Sequence, residues 1–255
     1  MRLIVLGCGT SSGVPRIGGD WGACDPADPR NRRSRAAILV QSDTTTILVD
    51  TGPDMRTQLL AAGIGALDAV IWTHEHADHT HGIDDLRQIF HVRREPVPGY
   101  GRRATIDLLD ERFGYVFSGR YGYPPTAQKR LLEDETIIGD IVVRVVDQPH
   151  GEIMSAGLRF EHGGVSIGYS TDFSAITPDM ERLFEGADIW VVDALRRKPH
   201  PTHPHLAMTL EAIERLQPGE AILTHMDQSM DYASLLAELP PGVVPAYDGL
   251  ERVLE

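Results

Sequence analysis

Cysteine is nearly missing from this chain: Cys8 and Cys24 are the only two in 255 residues. That excludes a disulfide scaffold and a Cys-x-x-Cys metal clip, so the fold has to rest on a hydrophobic core. Long hydrophobic runs are also missing. The opening apolar run covers residues 3–6, too short for the core of a signal peptide, and nothing approaches the roughly 20 apolar residues of a membrane-spanning helix. The expected setting is the cytoplasm, with no membrane partner. Cations are in deficit, 24 Lys and Arg against 37 Asp and Glu, for a net charge of -13. Such a balance argues against an extended nucleic-acid surface, which relies on clustered Lys and Arg. Apolar content of 42% and charged content of 24% are those of a globular protein, and residues 1–255 are expected to form one domain.

What the chain has instead is a concentration of histidine. Of 11 histidines, four fall between positions 74 and 81. They sit in Thr73-His74-Glu75-His76-Ala77-Asp78-His79-Thr80-His81, directly after the apolar run 69–72, which reads as a buried strand. In an extended segment His74 and His76 point the same way, and Asp78 and His79 then lie at the turn into a helix. One short segment can thus address two neighbouring metal ions.

Read in order, residues 2–6 form a strand, and Gly7-Cys8-Gly9-Thr10-Ser11-Ser12-Gly13 reads as a turn, because a phosphate loop would need a Gly-Lys-Ser/Thr ending. Residues 18–35 read as an irregular loop carrying Arg30, Arg32, Arg33 and Arg35, either a solvated face or, through Arg35, a grip on an anionic substrate. Residues 36–40 and 46–50 read as a hairpin, followed by a helix to 62; Asp50 is either a helix cap or part of a site. Residues 83–90 and 104–117 read as helices, with 93–103 broken by Pro96 and Pro98. The stretch 118–125 is either a flap or a packed loop. Strands are expected at 137–146, 157–162, 165–169, 189–192 and 221–224, and a helix at 206–216. Strand ends repeatedly deliver Asp or His: Asp50, His74, His150, Asp172, Asp193 and His225. Two packed sheets with helices outside would collect these at one edge.

With His74-x-His76-x-Asp78-His79, then His150, Asp172 and His225, the chain resembles the metallo-β-lactamase-fold hydrolases over nearly its whole length. The resemblance implies a layered α/β fold, a four-layer αββα sandwich with metals at one edge. It implies a first ion on His74, His76 and His150, a second on Asp78, His79 and His225, and Asp172 bridging them, with Asp50 supporting the ligands from behind. Gly9-Thr10-Ser11-Ser12-Gly13-Val14-Pro15, residues 200–206 and Tyr247-Asp248-Gly249 narrow the resemblance to the phosphodiesterase branch related to the cyclic-phosphate phosphodiesterase of phosphonate breakdown. That relative has extra N-terminal cysteines for a structural zinc; here only Cys24 lies in that region, so no structural zinc is expected.

The donors suit Zn²⁺ first, and Mn²⁺ or Fe²⁺ accept the same set. Two such ions about 3.5 to 4 Å apart acidify a bridging water to a pKa of about 7, so hydroxide attack on a small cyclic or nucleotide-like phosphodiester is the expected reaction. The leaving alkoxide needs a proton. His203, three residues before Leu206, is at the spacing where the resemblance places a general acid; His200 and His205 compete for the role. The expected catalytic pair is His203 with Asp78, and Asp193, His200 and Arg35 are candidates for supporting the ligands or the substrate. An ester, thioester or lactone hydrolase on the same fold is the alternative, and a non-catalytic nucleotide-binding protein a third reading. A homodimer is compatible with the sequence.

Overall fold

Alternation decides which face of a strand is buried. On β1 (Arg2–Gly7), Leu3 and Val5 enter one core cluster while Ile4 and Leu6 enter another. The same division runs through the computed structural model, which describes residues 1–255. Its first sheet has the order β14 (Leu250–Val253), β1, β2 (Ala37–Gln41), β3 (Thr46–Val49), β4 (Ala69–Ile71), β5 (Val97–Gly101), β6 (Ala127–Leu131). The second has the order β13 (Val243–Pro245), β12 (Glu220–Thr224), β11 (Ile189–Asp193), β10 (Val165–Ser170), β9 (Ile153–His162), β8 (Ile141–His150), β7 (Glu135–Ile138). Inner-face residues of both sheets share the larger cluster, Val5, Val40 and Ile71 with Val143, Leu158 and Val191. Helices α1 (Met55–Ala61), α3 (Leu86–Arg93) and α4 (Arg103–Ser118) close the other face of the first sheet through Leu59, Leu86, Ile89 and Leu109. Helices α5 (Pro178–Phe184), α6 (Leu206–Leu216) and α7 (Tyr232–Glu238) pack on the second through Phe184, Ile213 and Leu235. The result is the αββα sandwich.

Each sheet is half antiparallel and half parallel. Strands β3, β4, β5 and β6 run parallel, as do β10, β11, β12 and β13. Parallel strands put their C-terminal ends on the same edge, which is why Asp50, His74, Asp172, Asp193 and His225 are delivered together.

Several elements differ from the expectation. The proline-broken segment 93–103 contains β5. Its Pro98 lies beyond the reach of β4, which pairs only with Gly99 and Tyr100, so the missing N–H disrupts no ladder on that side. The strand expected over 137–146 is two strands folded at Gly139. The second, β8, continues through Pro149 to His150; β7 covers it only as far as Arg144, leaving Pro149 on an edge. The helix expected from 83 begins as a 3-10 turn, Ile83–Asp85, before α3.

The arginine cluster of the first loop is mostly spoken for. Arg30 pairs with Asp28 at 2.7 Å, and Arg35 is held by both oxygens of Asp54 at 3.0 Å. Arg33 is buried, with no carboxylate on it; its guanidinium donates to the carbonyls of Met230 at 2.6 Å and Asp227 at 3.3 Å. It thereby fastens the loop that follows His225 to the N-terminal loop. Replacing Arg33 by Met leaves the buried Met230 carbonyl without its side-chain donor, while the Asp227 carbonyl keeps the Met230 N–H at 3.2 Å, and unfolding in denaturant should show a loss of about 1–3 kcal/mol. Arg32→Met, at an exposed guanidinium over the Trp21 ring, should stay within the range of ordinary surface changes; equal losses at both positions would remove the clamp.

Candidate metal centre

The segment after β4 places His74 and His76 in extended backbone and Asp78 and His79 on the short helix α2 (Ala77–Thr80). Across the gap between the sheets, His150 ends β8, while Asp172 and His225 follow β10 and β12. Three residues at this edge, Asp50, Asp172 and His225, hold positive φ angles of 68°, 56° and 56°. Non-glycine residues adopt that region at a cost that surrounding structure must offset, and such residues concentrate at functional sites. Here the turn aims each side chain off its strand end and into the gap.

The donors form two groups around one carboxylate. His74, His76, His150 and Asp172 place ligand atoms within 4.8 Å of one another, as do Asp78, His79 and His225. Asp172 faces both. Its Oδ1 lies 3.6 Å from His150 Nε2 and 3.9 Å from His74 Nε2, and its Oδ2 lies 3.3 Å from His79 Nε2 and 3.5 Å from His225 Nε2. The Nε2 atoms of His74, His79 and His225 are buried without hydrogen-bond partners. Buried polar atoms are ordinarily paired, so three unpartnered ring nitrogens converging on carboxylates fit a pair of divalent cations. His76 is exposed and Asp78 half-buried, so the centre is open on that side.

Support behind the ligands fixes their tautomers. His79 Nδ1–H donates to Asp50 Oδ2 at 2.7 Å, and His150 Nδ1–H donates to the Thr202 carbonyl at 2.9 Å. Thr73 links His74 to Asp50: its hydroxyl donates to Asp50 at 2.9 Å and accepts from His74 Nδ1 at 3.0 Å. One buried carboxylate therefore directs the free Nε2 of two imidazoles toward the centre. The backbone carrying Asp50 packs tightly on the motif helix. A Cβ on Gly52 would stand 2.2 Å from the Asp78 carbonyl, and one on Gly82 would stand 2.1 Å from the Gly52 carbonyl.

The electrostatics point the same way. Burial pushes the His74 and His150 imidazoles down, toward the neutral form that ligates metal. Burial opposes charge on His225 too, but Asp172 and Asp193 lift it to about 9, and Asp78, Asp172 and Asp50 raise His79 well above its usual range. Burial would raise Asp78 and Asp172, yet the surrounding imidazoles hold both carboxyls below their usual range. The centre is a negative well that draws cations, and metal binding would displace the protons on His79 and His225.

Of the remaining sequence candidates, Asp193 and His203 join the site and Arg35 does not. Asp193 Oδ2 accepts from the Asp172 N–H at 3.0 Å and sits 3.1 Å from His203 Nδ1. The His203 ring stacks on His225 at 5.0 Å between centroids. His200 lies beside His203, at 5.0 Å ring to ring, with burial and that neighbour pushing its pKa down. His205 stands at the start of α6 with no capping hydrogen bond from its side chain, and His81 packs edge-on against Phe113 at the surface. Thr73, Thr202 and Gln148 were not anticipated. Gln148 is buried and donates to the Thr171 carbonyl beside Asp172; a Gln inside a strand that passes through proline offers no sequence signal.

If Asp50 aligns His79 and His74, Asp50→Ala should weaken zinc binding about 10–100-fold, read by competition with a chromophoric chelator, while the far-ultraviolet circular dichroism stays native. Unchanged affinity would dismiss the aligning role. Stripping the wild type with chelator should lower its Tm, and adding back zinc should restore it.

Comparisons with known proteins agree with this geometry. The profile of the β-lactamase superfamily domain matches residues 45–226, a span that includes all seven donors. Over its whole length the chain is 33% identical to an octanoyltransferase of Porphyromonas gingivalis, of which it spans 52%. It is 26% identical to a ribonuclease Z of Mycolicibacterium gilvum, with 88% of this chain and 91% of that protein aligned. Among solved structures, a diphosphatase of the PhnP family superposes with a TM-score of 0.91 at 35% identity, covering 100% of this chain and 98% of the other. On the match across most of its length, and on the donors that the match contains, the chain belongs to the β-lactamase superfamily.

Proposed function

We propose that the protein is a dinuclear metal-dependent hydrolase of small phosphodiester or phosphoanhydride substrates, with His203 as proton donor to the leaving oxygen. The choice of phosphorus over carbonyl carbon is carried by the similarity, along the full chain, to a diphosphatase of the PhnP family. One ion would be held by His74, His76 and His150 and the other by Asp78, His79 and His225, with Asp172 shared. Bound there, divalent ions such as Zn²⁺, Mn²⁺ or Fe²⁺ supply Lewis-acid stabilisation of phosphoryl oxygens and acidify a water toward neutral pH. The chain's own residues do the rest. The open side at His76 and Asp78 admits an anionic substrate. Asp193 holds His203 by Nδ1 at 3.1 Å, which leaves Nε2 to carry the proton given to the departing alkoxide. A carboxylate that fixes an imidazole's tautomer and orientation is a recurrent way to position a general acid.

A second reading has its own observation. The octanoyltransferase relative is named for acyl chemistry, and a thioester or lactone hydrolase would use the same ions on a carbonyl. The chain spans about half of that relative, so the name belongs to a longer protein. A panel on metal-reconstituted protein separates the two readings: bis-nitrophenyl phosphate, a cyclic nucleotide, a ribose cyclic phosphate, a dinucleoside diphosphate, an octanoyl thioester and a lactone. Turnover confined to the phosphorus substrates is expected, and turnover confined to the acyl substrates would reverse the assignment.

The same panel tests His203. His203→Ala should slow a diester with an alkyl leaving group by about 10²–10⁴-fold and one with a nitrophenolate leaving group far less, because nitrophenolate departs without a proton. Asp172, Asp193, His203 and His225 also come within metal-ligand reach of one another, so zinc content must be measured on the same samples. Full zinc content with a leaving-group-dependent loss supports the acid. Reduced zinc with equal losses on both substrates would make His203 a ligand instead.

A further inference from the structure

Outside the metal centre, a cavity of about 470 Å³ opens between α3, the end of α4 and the turn that follows it. Its walls include Phe90, Tyr115, Tyr121 and Tyr123, with Arg87 and Arg120. The volume suits a small ligand. Tyr121 is 85% exposed and Tyr123 64% exposed, so neither ring adds to the core, and large aromatic surface left in water around one cavity marks a binding site more often than packing. The cations are also unspent. Arg87 lies 4.9 Å above the Tyr123 ring and Arg120 lies 4.8 Å above the Tyr121 ring. Neither guanidinium has an ion pair, although the chain has 37 acidic residues to choose from. Tyr115 donates its hydroxyl to Asp84 Oδ1 at 2.7 Å, and burial together with Asp84 pushes that phenol up to about 12. It stays a donor, and Asp84 Oδ2 remains available as an acceptor.

We propose that this cavity is a nucleotide-binding site: a planar base stacks on the tyrosine and guanidinium faces, Asp84 accepts from the base edge, and Arg87 and Arg120 pair with the phosphate. Tyrosine faces and guanidinium planes are the usual stacking partners of bases, and a free arginine fork is suited to phosphate. A purely apolar ligand would leave both cations unpaired, and a simple anion would leave the three tyrosines unused. The site involves no metal donor, so it stands whether or not the metal centre cleaves phosphodiesters.

Calorimetric titration of the metal-loaded protein with adenosine 5′-monophosphate tests this, with adenosine, ribose 5-phosphate and inorganic phosphate as partial probes. The expected result is saturable binding of the nucleotide, weaker by tenfold or more for each partial probe. The pairs Arg87→Gln with Arg120→Gln and Tyr121→Ala with Tyr123→Ala change exposed side chains. Each should weaken nucleotide binding at least tenfold while turnover of bis-nitrophenyl phosphate is retained. His79→Ala, which disables the metal centre, should leave the nucleotide affinity in place. Affinity unchanged in both surface pairs, or lost only in His79→Ala, would show that the nucleotide occupies the metal centre alone and would overturn the proposal.

Discussion

A single carboxylate, that of Asp172, faces histidines delivered by both sheets. His74 and His79 come from the segment after β4 in the first sheet, and His150 and His225 come from β8 and β12 in the second, and all four approach Asp172 within 3.9 Å. Burying a carboxylate is costly unless it is paired, and here the pairing partners are ligands rather than arginines. The arrangement explains why the sandwich is built as it is. The parallel half of each sheet brings strand ends to one edge, and the gap between the sheets is where the two sets of ends meet. The core behind them, packed from both inner faces, keeps the distances fixed.

Holding that centre together requires a second layer of restraint, and Asp50 is its main part. It lies buried in a left-handed turn and fixes two imidazoles at once, one directly and one through Thr73. Desolvation raises its carboxyl above the usual range, and His79 with the Thr73 N–H and hydroxyl offset this only in part. Gly52 and Gly82 let the turn and the motif helix approach to backbone contact, so glycine at these positions is a packing requirement. On the far side Arg33 performs a related task with the opposite sign, tying down the loop beyond His225 through carbonyl oxygens. Four carboxylates, Asp50, Asp78, Asp172 and Asp193, crowd into this edge, which accounts for part of the net charge of -13. Two divalent ions would offset them charge for charge.

How far this was legible in the sequence varies with the range of the interaction. That the candidate donors come together was readable because His74, His76, Asp78 and His79 follow one strand at fixed spacing, and because Asp172 and His225 each end a short apolar run. The strands β1, β10, β11 and β12 were readable from their apolar runs for the same reason. Those that were missed or misdrawn depend on neighbours far away in sequence. Pro98 is tolerated only because β4 is too short to reach it, and Pro149 only because β7 stops at Arg144. The arginines of the first loop look alike in sequence, yet Asp54 claims Arg35 and the carbonyls of residues 227 and 230 claim Arg33. Nothing local to residues 30–35 distinguishes the two, since the partners of Arg33 lie almost 200 residues away.

The same distinction bears on how chemistry and selectivity divide across the molecule. The candidate metal donors would constrain the reaction but not the substrate, since a water acidified by two such ions could attack phosphorus or carbonyl carbon alike. Selectivity has to come from groups that touch the substrate beyond its reacting atom. The groups placed beside the centre for this are the exposed His76 and the histidine pair on the 200–205 segment, where Asp193 Oδ2 lies 3.1 Å from His203 Nδ1. With His203 as the proposed proton donor, substrates whose leaving group needs a proton would gain most, and those that depart as stable anions least. On that proposal the preference would rest with the few residues after β11, apart from the seven candidate donors that the two sheets bring together.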